Sequence, residues 1–309
     1  MKTHFLGKEH FHIRWNNGLK PAIEVESGDF VEMDCFDSSG GQVTPSTSLQ
    51  EYMEIDRGRI HTITGPVFVK GAKPGDVLEV RILGVEHQGW GWTSIIPGLG
   101  SLPDRFTSPF LFQWNLEGDY STSMPGVRLP LSPFLGIMGV CPAESGEHRT
   151  RPPGPFGGNL DVKQLIPGST LYLPVFNEGA LFSAGDGHGS QGDGEVCING
   201  IEAPMKARFQ LVLRKDMRLD QPFAEVVPPK IAVGMKGSYA FVASSEQVPV
   251  AMRDVIGRAI DFISAQFNLS PEQAYVLCSV ALDLKISQCV NVPMTTVSAF
   301  ISKDIFNAV

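Results

Sequence analysis

Hydrophobic and polar residues alternate along much of the first two-thirds of the chain. The alternation is clearest over residues 23–26, 78–82 and 207–214, where every second residue is hydrophobic. A period of two is typical of antiparallel strands that bury one face. Gly-Pro, Pro-Gly and Asn-Gly pairs separate these segments, and Asn199-Gly200 predicts a type I′ hairpin turn.

The pattern changes near residue 244. Hydrophobic residues then recur every three or four positions over 248–267, which predicts an amphipathic helix. The sequence Ser-Pro-Glu-Gln at 270–273 predicts the start of a second helix. Serine can cap it, proline suits its first position, and glutamine completes a capping box. A short third helix is predicted near 294–302.

Strands followed by helices predict a β-rich α+β fold. We expect an antiparallel β-sandwich or barrel-like catalytic body over residues 1–243. A C-terminal helical segment over 244–309 is expected to pack on it. The stretch 90–160 has no sustained period and is rich in Pro, Gly, Trp and Phe. Irregular segments of this length usually carry function.

The composition of the chain limits the classes of partner that are expected. The chain has 309 residues, of which 42% are hydrophobic, so it can bury a sizeable core. Its net charge of -8, without a cluster of Lys and Arg, argues against nucleic acid as a partner. No apolar run reaches about eighteen residues, so no membrane partner is expected.

Cysteine usage indicates the compartment. The five cysteines are far apart and form no C-x-x-C pair. Neither a zinc ribbon nor a disulfide framework is therefore predicted. Reduced thiols, together with an N-terminus that lacks an apolar signal region, predict a cytoplasmic protein.

The segment Gly185–Glu195 is the strongest candidate for chemistry. It places acidic and imidazole side chains among five glycines, a combination that suits a divalent metal. Asp186 and His188 are two residues apart and point the same way on an extended chain. Asp193 and Glu195 are expected to shape the loop. The alternative is a glycine-rich hairpin loop with solvated charges.

Two further segments could supply metal ligands. Asp34 and Asp37 end a predicted strand, and they can reach one metal only if the chain bends near Phe36. His61 lies on a strand that stops at Gly-Pro. The alternatives are a turn role for Asp37 and a structural role for His61.

A fourth region holds candidates for proton transfer and substrate binding. Glu144 is either a general base or a surface or loop carboxylate, and Cys141 is either a nucleophile or a buried small hydrophobic residue. Asn159 and Asp161 either orient a substrate or hold a turn. Serine-hydrolase elbows, Walker loops and dinucleotide-binding fingerprints are absent from the sequence.

In their order along the chain these segments resemble the acetamidase/formamidase family. The resemblance covers nearly the whole chain, with 179–195 its most specific part; the matching segments are 37–42, 61–66, 139–143, 157–161, 179–195 and 287–291. Two positions depart from the family pattern. Thr62 stands where proline is more common, and Cys141 stands where alanine is common, which weakens a nucleophilic role for this cysteine.

The resemblance implies a homo-oligomeric enzyme, a dimer or larger, that hydrolyses short amides such as formamide and acetamide to the acid and ammonia. It also implies divalent-metal sites, with zinc as the expected ion and calcium as a possible structural one. On this basis Glu144 moves a proton from water to the departing nitrogen. The predicted metal ligands are Asp34, Asp37, His61, Asp186 and His188, and the predicted substrate-binding residues are Gly158, Asn159 and Gln191.

Three alternatives stay open at this point. One is a cysteine or serine amidase with structural metals. Another is a non-catalytic β-rich metal-binding module. The third is a hydrolase of a larger amide or a lactam, with the same chemistry in a wider pocket.

Overall fold

The computed structural model describes residues 1–227, 237–289, 293 and 295–306. Single 3₁₀ turns lie at Arg57–Arg59 and Lys303–Ile305. The other elements of the described residues are, in chain order, β1 (Thr3–Leu6), β2 (Phe11–His12), β3 (Arg14–Trp15), β4 (Ile23–Val25), β5 (Phe30–Cys35), α1 (Leu49–Met53), β6 (Ile63–Val69), β7 (Val77–His87), β8 (Trp90–Ile95), β9 (Phe110–Asn115), β10 (Tyr120–Ser121), β11 (Leu129–Pro130), β12 (Phe134–Gly139), β13 (His148–Arg149), β14 (Gly157–Asn159), β15 (Thr170–Pro174), β16 (Phe182–His188), β17 (Met205–Arg214), β18 (Phe223–Glu225), β19 (Ser238–Ser245), α2 (Val248–Phe267), α3 (Pro271–Ala281), β20 (Leu282–Gln288) and β21 (Thr295–Ser302).

Two large sheets form the body. The first has the strand order β1-β5-β17-β7-β15-β18, and only its β1–β5 pair is parallel. In the second, the order β14-β12-β16-β6 is antiparallel, and β2 and β4 both pair with β6. Over the residues that the structure describes, none of the sheets closes. The predicted β-rich α+β fold is confirmed, with a sandwich rather than a barrel as its body.

The alternating pattern of β17 shows why these segments become strands. Ala207, Phe209 and Leu211 are buried, whereas Lys206 and Arg208 are exposed. Phe209 meets Phe182 of the other sheet edge to face, with ring centroids 5.5 Å apart. Such contacts between inward-facing residues form the core of a sandwich.

The two predicted C-terminal helices are confirmed. α2 follows the predicted hydrophobic spacing and buries its apolar face. At the start of α3 the Ser270 side chain accepts a hydrogen bond from the Gln273 backbone, and the Gln273 side chain returns the contact, which is the predicted capping box. The described residues contain no helix long and apolar enough to cross a membrane.

The predicted third helix is wrong, because Thr295–Ser302 is strand β21. It lies between β19 and β20 in a three-stranded antiparallel sheet. The hydrophobic residues Val297, Ala299 and Ile301 are two positions apart and buried, which is a strand period in a segment rich in β-branched residues. This sheet spans the predicted boundary between residues 243 and 244, since β19 runs across it.

Helix α3 supports the loop that follows β16. Backbone N–H of Gly192 donates to Ser279 O at 2.8 Å, and the Ser190 hydroxyl donates to Val280 O at 3.1 Å. The Tyr275 hydroxyl donates to Val196 O at 2.6 Å. The C-terminal unit therefore holds the segment 190–196 in place beside the body.

Candidate active site

One cavity of about 610 Å³ opens beside the end of β16. Its floor is acidic, with a few apolar walls and a ring of arginines. The lining residues are Arg14, Ser38, Tyr52, Arg57, Gly58, Ile60, His61, Trp92, Ile96, Leu99, Arg149, Arg151, Asn159, Asp161, Asp186, His188, Glu195, Ile198, Asn199 and Glu202. This volume lies within the range of roughly 300–1,000 Å³ typical of small-molecule sites.

Strand β16 brings two of the predicted ligands to this floor. Asp186 and His188 are both buried and both line the cavity. The neighbouring glycines serve close packing, because a Cβ on Gly185 would lie 2.9 Å from Thr62 O and one on Gly187 would lie 2.3 Å from Ala203 O. The glycine-rich motif is thus a buried strand, and the alternative of a solvated hairpin loop is excluded for residues 185–188.

His188 lies at the centre of four carboxylates. Its Nε2 is 2.8 Å from Glu202 Oε1, 3.7 Å from Glu195 Oε1 and 3.8 Å from Asp186 Oδ1. On the other side of the ring, Nδ1 is 4.0 Å from Asp161 Oδ1. Four acidic side chains around one imidazole in a buried place form an arrangement that demands compensating positive charge.

Glu202 and His188 form an ion pair. Burial raises the pKa of Glu202, but the His188 charge and hydrogen bond outweigh it and hold this pKa at about 2. Backbone N–H groups of Gly200 and Ser38 also donate to the Glu202 carboxylate, at 3.2 and 3.4 Å. Burial lowers the pKa of His188, yet the charges of Glu202 and Asp186 bring it well above its ordinary value. Glu202 is therefore the ionised anchor of the cluster.

The pKa values of the other three carboxyls are raised rather than lowered. Burial, with the charge of Glu202, raises the pKa of Asp186 well above its usual range. Burial and the charge of Asp161 do the same for Glu195. The pKa of Asp161 rises to about 6, chiefly by burial. A cation placed among them would reverse these shifts and stabilise the ionised forms.

The residues present fit a divalent metal. Asp161, Asp186 and His188 can each offer one ligand atom within 4.8 Å of the others. Asp161 Oδ1, Asp186 Oδ1 and His188 Nδ1 are buried and have no hydrogen-bond partner. A Cβ on Gly136 of β12 would lie 2.5 Å from Asp161 Oδ1, so only glycine leaves this space open. Unpaired buried ligand atoms around an open space are what a metal site requires.

The other predicted ligands are placed differently. His61 lines the cavity, and its Nδ1 is buried without a partner. Asp37 is buried nearby, but Ser39 donates to its Oδ1 through both N–H and hydroxyl, and Trp92 Nε1 lies 3.4 Å from its Oδ2. Burial raises the pKa of Asp37 to about 6. Asp34 does not line the cavity.

Glu144 does not reach the cavity. It lies in the exposed turn between β12 and β13, and its backbone carbonyl oxygen is 3.0 Å from His148 Nε2. Cys141 is buried, and burial raises the pKa of its thiol to about 11. It does not line the cavity either. The structure thus supports the reading of Cys141 as a buried small residue.

One of the three predicted substrate-binding residues lines the cavity. Asn159 lines the cavity with a buried, unpartnered Oδ1. Gln191 lies outside the lining, and its Nε2 donates to Asp161 O at 3.0 Å. Gly158 pairs with Met138 in the sheet and lies outside the lining. Of the three, only Asn159 can touch a molecule in the cavity.

Sequence reasoning missed Glu202 and treated Glu195 as a loop residue. Glu202 is a single carboxylate within a short apolar run between Ile201 and Ala203, and that isolation is the signal that could have found it. The preceding Asn199-Gly200 pair is not a type I′ hairpin, since neither residue has positive φ. The Asn199 side chain instead accepts from Ser94 N–H at 2.9 Å, so this dipeptide is buried.

Comparison with known proteins identifies the family. The model of the Acetamidase/Formamidase family matches residues 2–147 and 143–308. A formamidase from Methylophilus methylotrophus is 28% identical, over 96% of this chain and 89% of its own. A gamma lactamase from Delftia acidovorans has a TM-score of 0.89 at 27% identity, covering 97% of this chain and 90% of its own. An acetamidase from Bacillus halodurans has a TM-score of 0.69 at 32% identity, covering 97% of both chains. Because the family model spans nearly the whole sequence, this chain belongs to the acetamidase/formamidase family and is an amide-hydrolysing enzyme.

Proposed function

We propose that this enzyme hydrolyses short aliphatic amides, such as formamide and acetamide, to a carboxylate and ammonia with the help of a bound divalent metal. The observation that carries the proposal is the set of buried, unpartnered ligand atoms of Asp161, Asp186 and His188 on the cavity floor. The relatives named formamidase and acetamidase support the choice of substrate.

Asp161, Asp186 and His188 would hold the metal. Carboxylate and imidazole groups are both zinc ligands, whereas calcium prefers oxygen ligands throughout. When bound, such an ion supplies polarisation of the amide carbonyl and a lowered pKa for a water molecule. Glu202 then has a positioning role, because its hydrogen bond with His188 Nε2 turns Nδ1 toward the open space beside Gly136.

In this proposal Glu195 is the residue that transfers protons. Amide hydrolysis needs a group that takes a proton from the attacking water and later delivers one to the departing nitrogen, and a single carboxyl can do both in turn. Glu195 lines the cavity beside the proposed ligands, with its Oε1 3.7 Å from His188 Nε2, so its carboxyl can reach a water molecule held there. Burial lowers the pKa of His61 to about 4, so this imidazole is neutral and can hydrogen-bond the substrate through Nδ1.

A larger amide or a lactam is the second candidate substrate. The cavity of about 610 Å³ is far larger than formamide or acetamide requires. The structurally similar gamma lactamase, with a TM-score of 0.89, is named for a lactam, which is a cyclic amide. A substrate panel that runs from formamide through butanamide to a γ-lactam separates the two candidates.

Ammonia release before and after chelation tests the metal. We expect turnover to fall at least tenfold in metal-free protein and to return on addition of zinc. Full turnover in protein with no detectable metal would exclude the proposed mechanism. Glu195→Gln should lose most of its kcat, whereas Glu144→Gln, which removes the exposed carboxylate predicted from sequence, should not. The reverse pattern would restore Glu144 as the proton carrier.

We also propose a homo-oligomer in the cytoplasm. The oligomeric state rests on the family resemblance, and light scattering on purified protein tests it. The location rests on the cysteines, all free in the structure and four of them buried. Subcellular fractionation tests this part of the proposal.

A further inference from the structure

The rim of the cavity carries four arginines. Arg57, Arg149 and Arg151 are exposed, Arg14 is half-buried, and all four line the cavity. They come from separate segments of the chain that the fold brings to one opening. Since the chain as a whole is acidic, with a net charge of -8, this concentration of positive charge is local.

Two of these arginines lie directly opposite each other. Strands β3 and β13 pair antiparallel, and their register sets Arg14 against Arg149. Like charges at directly opposed positions destabilise a strand pair. An arrangement that opposes pairing is expected where the charges serve a ligand.

None of the four forms a salt bridge with a carboxylate anywhere in the described parts of the chain. Arg81 and Arg214, by contrast, lie 2.5 and 2.9 Å from the Glu79 carboxylate. The guanidinium of Arg57 is nevertheless held in place, since it donates to Tyr52 O at 3.0 Å and lies over the Tyr52 ring at 4.6 Å. Its orientation is fixed, while none of the described carboxylates pairs with its charge.

The arginines and the proposed metal ligands line the same cavity. Arg149 and Arg151 are exposed to solvent, whereas Asp186 and His188 are buried inside. A molecule that fills this cavity can therefore meet the proposed metal ligands and the guanidinium groups at the same time.

We infer that the preferred substrate is an amide that carries a carboxylate at the end remote from its C–N bond. Guanidinium groups bind carboxylates through paired, charge-assisted hydrogen bonds, and a cavity of about 610 Å³ has room for a second functional group. This inference rests on the proposed amide hydrolysis and specifies its substrate class. The carboxylate would also relieve the repulsion between Arg14 and Arg149.

Matched substrate pairs test the inference on the metal-loaded enzyme. Malonamate, succinamate and glutaramate are compared with the neutral diamides of the same length, and ammonia release gives kcat/KM for each. We expect the anionic member of at least one pair to be preferred about tenfold at low ionic strength. Salt screens exposed charges, so about 0.5 M KCl should reduce this ratio severalfold.

The second part of the test removes positive charge from the arginines that line the cavity. In the double variant Arg149→Gln with Arg151→Gln, the anionic-to-neutral ratio should fall toward one. Each ratio is measured on a single preparation, so a loss of active protein does not affect it. Arg208→Gln, which removes an exposed arginine from the outer face of β17, should keep the wild-type ratio.

Binding of product analogues separates the two proposals. Succinate and butyrate match in length and differ by the remote carboxylate, and calorimetry can compare them without turnover. We expect succinate to bind more tightly to the wild type, and the difference to shrink in the double arginine variant. If neutral amides are hydrolysed but no pair favours the anion, the substrate class is overturned and the proposed function stands. If no amide is hydrolysed, the proposed function fails, and equal binding of succinate and butyrate then overturns this inference as well.

Discussion

The space beside Gly136 can be filled by a single methyl group. A Cβ at this position would lie 2.5 Å from Asp161 Oδ1, 2.8 Å from His188 Cε1 and 2.9 Å from Asp186 Oδ2. All three distances are below normal van der Waals contact. The Gly136→Ala methyl would therefore displace side chains that are proposed to hold the metal.

Gly136→Ala is expected to lower the stability of the fold and, separately, the metal affinity and activity of the site. Overpacking of a filled interior costs typically about 1–3 kcal/mol, so the protein should still fold with a lowered Tm. Metal affinity should fall at least 100-fold, because displacement of two carboxylates and the imidazole affects every proposed ligand. Since misplacement of reacting groups by about 1 Å can cost about 100-fold in rate, kcat/KM should fall by at least that factor.

Gly84→Ala provides the matched control. Gly84 also lies within a strand, β7, but a Cβ there meets only the Arg208 Cβ, at 3.8 Å, which is ordinary contact. Its metal content and turnover should match the wild type. The assay measures metal content after dialysis, thermal unfolding and amide turnover on all three proteins. A Gly136→Ala protein with wild-type metal content and turnover would refute the assignment of this cluster as the metal site.

Three further outcomes are expected. Glu202→Gln removes the charged partner of His188 and should weaken metal binding about 10- to 100-fold by calorimetric titration; unchanged affinity would remove its positioning role. Because the pKa of His188 is raised despite burial, by Glu202 and Asp186, the metal-free protein binds a proton that metal uptake displaces. Titrations in buffers of different ionisation enthalpy should therefore reveal proton release and tighter binding as pH rises. A hydrogen bond from His4 and one from the Lys2 backbone lower the pKa of Asp29 to about 2, so its contribution to stability is complete above about pH 4 and is lost as pH falls toward 2. Asp29→Asn should cost roughly 1–2 kcal/mol in the free energy of unfolding at pH 7, with no difference from wild type near pH 2 in denaturant titrations.

The parts of the fold and site that sequence predicts are those that depend on local periodicity. The alternation in β17, the capping box of α3 and the shared direction of Asp186 and His188 each involve residues only a few positions apart. The failed prediction of a helix over 294–302 has the same origin. Short apolar segments are ambiguous by period alone, and β21 is a strand because β19 and β20 flank it.

Contacts between distant segments are not visible to such reasoning. Glu202 reaches His188 because the chain after β16 folds back and forms a bridge between these two residues. Gly136 matters only because β12 pairs with β16 in a register that sets Leu135 against Gly187 and Ile137 against Gly185. No local pattern in 134–139 or 199–203 encodes either pairing.

Residue type alone also leaves open which carboxylates are free to bind a metal. Asp37 and Asp186 are both buried aspartates, and the sequence analysis predicts both as metal ligands. Ser39 donates two hydrogen bonds to Asp37, whereas Asp186 Oδ1 has no hydrogen-bond partner among the described residues. An unsatisfied buried oxygen costs about 1–3 kcal/mol or more, and a bound metal would offset that cost. The supply of nearby donors, set by the tertiary fold, therefore distinguishes a structural carboxylate from a proposed ligand in this molecule.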